Sequence, residues 1–358
     1  MRSKIFKILI GFIFLTIITF SAFWFFLTYQ AQTRITDWAA SQSNGNIQIS
    51  WQDFHFTGYP FKIRMLIEKP EVIFVRYNRK TYWKPSNIII SSSLFSPNNL
   101  VISAPGSHRI NMNLPENTFY TTIEAEEVLG RSINFSNKQI KRRFSSKMSN
   151  LVITPNNWED AIGIDDLMIE LTDHSVISEN KEAIHPIGKS LSSKIEIKGI
   201  NIPSFPKLDE TLKQLGAKVE SISGKFHLKG ELDLSSFSVD QLISWRDKGG
   251  TIELDQIKMI WGSLVTETNG TLALDKELQF QGSFTTKIVG LDKVVTLLEK
   301  DQVLNQTKAS LIKLALAIFI QNQENGISDF SKVPMTLQNR YLKIGPVTLT
   351  KVPEIKWN

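Results

Sequence analysis

Five histidines (His55, His108, His174, His185 and His227) are the side chains best suited to proton transfer or metal ligation near neutral pH, and their spacing supports neither role. None forms an HxxxH pair or stands at ligand spacing from another candidate, so solvated or hydrogen-bonded structural histidines are expected. Asp165-Asp166, followed by Glu170 and Asp173, is the densest acidic cluster and has the residue types of a calcium site or a general acid–base pair. It lacks the alternation of a calcium loop, which favours solvated acids in a turn before a strand. No Gly-x-Ser-x-Gly elbow and no phosphate-binding loop occurs. The chain is expected not to be an enzyme and to hold no cofactor or metal.

Positive charge is more concentrated. Lys138, Lys141, Arg142, Arg143 and Lys147 fall, with Arg131, in a window from Val128 to Trp158 that contains no acidic residue. Such a patch suits anionic headgroups, at about 1 kcal/mol per cation near a charged leaflet, or a protein partner; a solvated face has the same composition. Nucleic acid is a poor partner, because the formal charge is only +6 and Arg2, Lys4 and Lys7 supply half of it. There is no cysteine in 358 residues, which excludes a disulfide scaffold and thiol chemistry.

The element that positions everything else is Ile8 to Leu27, twenty residues without a charge. At about 1.5 Å per residue it crosses a hydrocarbon core of roughly 30 Å. Ile8, Phe14, Ile18, Trp24 and Leu27 mark its course. Arg2, Lys4 and Lys7 hold its start in the cytoplasm, and the aromatic cluster Phe23 to Phe26 with Tyr29 resembles an interfacial belt. The stretch is too long for the apolar region of a cleaved signal peptide, so an uncleaved anchor is expected, with the remaining chain exported. Ile35, Trp38 and Ala39 continue it as a short amphipathic helix, which Asn44-Gly45 ends.

Beyond the anchor the apolar residues alternate. Ile47, Ile49 and Trp51, then Phe54 and Phe56 after a phase slip at Asp53, then Ile63, Met65 and Ile67 read as half-buried strands interrupted by Gly58-Tyr59-Pro60-Phe61. Further strands are expected at Glu71 to Arg76, Asn87 to Ser91, Leu100 to Ser103, Arg109 to Leu114, Val219 to Leu228, Glu231 to Leu234 and Tyr341 to Trp357. Trp261-Gly262 separates two strands, and Asn269-Gly270 is read as a hairpin turn. Helices are expected at Pro206 to Leu215, Ser238 to Lys248, Leu291 to Lys300 and Ala309 to Gln321, the last apolar enough to lie against the concave face of a sheet.

In their order along the chain, Gly58-Tyr59-Pro60-Phe61, Trp245 with Gly249-Gly250, Trp261-Gly262, Asn269 to Asp275, Pro334 to Leu337, Ile344-Gly345-Pro346 and Val352-Pro353 resemble an uncharacterised Gram-negative envelope family, domain of unknown function 2125. Asn339-Arg340 departs from it where a turn ending in Gly is expected. The chain is more distantly similar to AsmA-like envelope proteins. That likeness implies an inner-membrane anchor bearing an elongated β-groove for lipid.

The expected fold is mainly β (α+β): an N-terminal transmembrane helix, then an elongated, curved antiparallel β-meander with a few packed helices. The expected division is 1–30 for the cytoplasmic flank and anchor, and 31–185 and 186–358 for two periplasmic halves. The expected function is lipid binding or transfer in the cell envelope. The alternative is an envelope scaffold or assembly factor that binds other proteins.

Overall fold

The computed structural model describes residues 2–42, 47–76, 79–113, 118–133, 142–156, 158, 160–174, 189–203, 209–230, 232, 238–321 and 331–357. The contacts group the chain into two units, residues 1–135 with 154–157, and residues 136–153 with 158–358. The division expected at 185/186 falls outside the described residues, as does all of Glu231 to Leu234 except Leu232, which is not in a strand.

The first unit opens with one continuous helix, α1 (Arg2–Gln42). Its N-terminal half, from Ile5 to Ile18, is exposed, and the helix is long and apolar enough to cross a membrane. Its C-terminal half packs on the unit through a single stripe. Trp24, Thr28 and Ala39 are buried and Ala31 and Ile35 half-buried, the three- and four-residue spacing of one helix face. Trp38 lies off that stripe and is exposed, so the continuation is carried by Ile35 and Ala39.

The strands of this unit are β1 (Ile47–Ser50), β2 (Asp53–Thr57), β3 (Lys62–Glu68), β4 (Glu71–Arg76), β5 (Arg79–Pro85), β6 (Asn87–Ser93), β7 (Ser96–Ser103), β8 (Gly106–Asn113) and β9 (Thr118–Ile133). Their registers show that β1 and β2, β3 and β4, β5 and β6, and β7 and β8 are each one long strand bent at its centre. Thus β1 pairs with β4 and β2 with β3, while β7 and β8 lie end to end along β9. The bends align across the sheet. Bonds from Gln52 to Glu68 (3.0 Å), Lys69 to Ser86 (3.2 Å), Ser86 to Ser107 (2.8 Å) and Ala104 to Val128 (3.0 Å) stitch them together. Pro70, Pro85 and Pro105 sit at or beside these points and supply no ladder donor, which is why the strands break there. The phase slip read at Asp53 is this line of bends crossing Trp51-Gln52.

The second unit is an antiparallel meander of β10 (Arg142–Pro155), β11 (Ile162–Asp173), β12 (Lys189–Asn201), β13 (Lys218–Lys229), β14 (Thr251–Trp261), β15 (Leu264–Leu274), β16 (Phe280–Val289), β17 (Ser331–Gln338), β18 (Tyr341–Ile344) and β19 (Val347–Lys351). Each pairs with the next. Four helices join it: α2 (Asp209–Leu215), α3 (Val239–Asp247), α4 (Leu291–Lys300) and α5 (Gln306–Gln321). Ser238 caps α3 by accepting from Gln241 N, as its position before the apolar run requires.

Candidate functional site

Residues opposite one another in an antiparallel pair point to the same side, so register alone sorts the second unit into two faces. Phe144, Leu171, Ser193, Phe226, Leu254, Gly270, Phe284, Met335 and Ile344 form one row across β10 to β18. Met148, Leu167, Ile197, Ile222 and Met259 form a parallel row on that side, and Ile169 and Ile195 fill between them. At about 4.8 Å between strands this apolar surface is roughly 40 Å wide. The opposite side carries Glu196, Ser223, Lys258, Glu267 and Lys287, again in register, with Lys198–Glu196 at 3.3 Å and Lys287–Glu267 at 3.1 Å. This is the pattern of a sheet with one side in water and one side that needs covering.

Helices cover part of the apolar side. Val294, Val295 and Leu297 of α4 and Ala309, Ile312 and Ala315 of α5 pack on Leu264, Ile288, Val333 and Ile344. Leu311 and Leu314 of α5 point away and are exposed, so the helix buries one face and not its whole circumference. Thr211 locks α2 to the end of α4, its N–H and hydroxyl both donating to Asp301 Oδ2 at 2.9 and 2.6 Å. A second cluster sets Leu242 and Trp245 of α3, with Trp357, against Leu228, Ile252, Leu274 and Phe280. Leu167, Ile169, Leu171, Ile195, Ile197 and Phe226 belong to neither cluster and are half-buried.

The motif residues serve this sheet. Trp261 Nε1 donates to Gly216 O (2.8 Å), and Gly262, at φ +54°, lets the Leu215 carbonyl approach to 2.3 Å of where a Cβ would stand. Asn269-Gly270 is not a hairpin turn, because β15 runs straight through it from Leu264 to Leu274. Asn269 Oδ1 instead accepts from Gln256 N (2.8 Å) and holds a bulge in β14, where Gln256 has φ +52°. Gly270 leaves room for the Phe284 ring lying on it. Asn339-Arg340 does make a two-residue hairpin without glycine, both residues at positive φ (50° and 67°), with Arg340 tied to Val352 O and Glu354.

The Gly58-Tyr59-Pro60-Phe61 turn meets α1. Tyr59 and Ser21 share a hydroxyl hydrogen bond at 2.8 Å, Trp24 Nε1 donates to Lys62 O at 2.9 Å, and the Phe20 and Phe61 rings lie 6.0 Å apart. Phe61 stacks in turn on Phe95, in the next turn at that end of the sheet. Of the expected anchor residues, Ile8, Phe14 and Ile18 are exposed, Leu27 is half-buried and Trp24 is buried.

The remaining candidates separate. Lys138 and Lys141 lie outside the described residues; Arg142 is ion-paired with Asp173, Arg143 is exposed, and Lys147 is engaged. Asp165 and Asp166 are consecutive in β11 and point to opposite sides, toward Lys218 (2.7 Å) and Ser149 (3.0 Å), so they form no carboxylate pair. Among the described residues no group of three metal-ligating side chains occurs. His108 stacks on Trp83 and bonds Ala104 O at 2.8 Å. One cluster had no signature in the spacing: Ser192 Oγ lies 2.8 Å from His174 Nε2 and 3.0 Å from His227 Nδ1, a polar chain from the residue just past β11 across β12 to β13 that only strand pairing assembles.

A family model described as "Uncharacterized protein conserved in bacteria (DUF2125)" matches residues 24–353. No curated protein and no solved structure matches.

Proposed function

The chain belongs to the DUF2125 family, and from that premise we propose that it is a non-enzymatic, single-pass inner-membrane protein whose apolar sheet face binds lipid acyl chains, for storage or transfer in the cell envelope. The basic flank of α1 supports a cytoplasmic N-terminus and a periplasmic body. The observation that carries the lipid reading is the in-register row from Phe144 to Ile344, continued by Leu167, Ile169, Ile195 and Ile197 beyond the two helical clusters. Each methylene taken from water onto such a surface contributes about 0.8 kcal/mol, so one acyl chain lying across several strands is held without any charged contact.

The test is native mass spectrometry of the full chain in detergent, beside Ile195→Lys and Phe226→Lys. Phospholipid retained by the parent and lost from both variants, with unchanged strand content by circular dichroism, is the expected result. Equal lipid content in all three sinks the proposal.

A further inference from the structure

The junction between α1 and the Gly58 to Phe61 turn fixes a depth. Ser21 lies six positions before Leu27, the end of the apolar stretch, which is about 9 Å along a helix axis. A side chain bonded to Ser21 is therefore below the outer boundary of any bilayer that α1 crosses. Tyr59 is so bonded, and Phe61 is tied to Phe20, one residue deeper. Phe95 continues the cluster outward from Phe61. These rings are not core residues: Tyr59 is 48%, Phe61 59% and Phe95 74% exposed.

Their surroundings suit the same depth. Residues 58–61 and 94–99 contain no charge. The first cation of β3, Lys62, is exposed and stands immediately after the turn, placed to reach headgroups while its carbonyl receives the Trp24 indole. Tyrosine beside phenylalanine and proline, with a lysine behind them, is the composition of a segment seated between headgroups and acyl chains.

We propose that the turns at Tyr59-Pro60-Phe61 and Phe95 are a membrane-inserted foot: they sit in the outer interface of the bilayer that α1 spans, and hold the first unit on its surface. The occupant of this aromatic patch is phospholipid, argued from its continuity with α1. The inference rests on α1 spanning the bilayer and is independent of lipid on the second unit's sheet.

The absence of cysteine allows a unique label. Full-length chains carrying Phe95→Cys or Phe14→Cys are labelled with an environment-sensitive fluorophore. They are then reconstituted into vesicles of phosphatidylethanolamine and phosphatidylglycerol containing a nitroxide near the top of the acyl chains. Phe95 is exposed, so a label there displaces no buried side chain. A label at Phe95 should shift to the blue and lose emission to the nitroxide, as one seated at that boundary does. Quenching at Phe14 without quenching at Phe95 overturns the foot and leaves the span intact. Quenching at neither overturns both.

Discussion

The indole Nε1 of Trp24 donates to the carbonyl of Lys62 at 2.9 Å, across 38 positions of sequence, and joins an apolar helix to the start of a strand. Trp24 is 5% exposed, with the Tyr59 ring edge-on against it at 5.7 Å. Trp24→Phe keeps the packing and loses the bond, with an expected cost of about 1 kcal/mol. Trp24→Ala also empties the site, for about 3 to 5 kcal/mol. Thermal unfolding of the full chain in detergent measures both. Equal melting temperatures for the two variants would show that packing at Trp24 contributes nothing.

Thr211 and Asp301 make the corresponding joint in the second unit. Thr211→Val keeps the shape and removes the hydroxyl donor to the half-buried Asp301 carboxylate. The expected loss is about 1.5 to 3 kcal/mol, the range for hydrogen bonds to charged groups. Chemical denaturation reads it, and a midpoint within error of the parent contradicts the assignment.

Gly262 lies under Leu215, and Gly262→Ala meets both an unfavourable positive φ and the Leu215 carbonyl. The φ alone costs about 1 kcal/mol or more. The variant should melt lower and expose the α2 region to protease before the rest of its unit. Uniform protection would argue against this local joint.

Asn269→Ala should destabilise by about 1 kcal/mol through the unpaired Gln256 amide. Asn269→Asp retains an acceptor and should recover most of that loss. If Asp fails to rescue, the bulge is held by something other than this hydrogen bond.

Asn269 also shows where the amino-acid sequence stops being legible. Asn-Gly is a strong turn signal, because both residues tolerate positive φ. Here the positive φ belongs to Gln256 on the neighbouring strand, and the Asn side chain serves that residue, a relation visible only once β14 and β15 are paired. The strands β4, β6, β7 and β8, the long apolar helix and helices α3 and α4 were legible from local periodicity, with a cap at α3, whereas β5 (Arg79–Pro85) was not. The bends crossing the first sheet were half legible, as proline breaks whose alignment depends on register. The apolar face of the second sheet was legible only as alternation in single strands. Its width, and the meeting of Ser192 with His174 and His227, arise from long-range pairing that no spacing encodes.

Lys194 and Ile195 are adjacent in β12 and point to opposite sides of the sheet, which makes them the sharpest test of lipid binding. A photo-crosslinking amino acid is placed at each in turn in the full-length protein, irradiated in living cells, and the adducts are identified by mass spectrometry. Phospholipid adducts at Ile195 and none at Lys194 are expected. Protein adducts in place of lipid at Ile195, or equal lipid labelling at both positions, contradict an acyl-binding face and favour a scaffold.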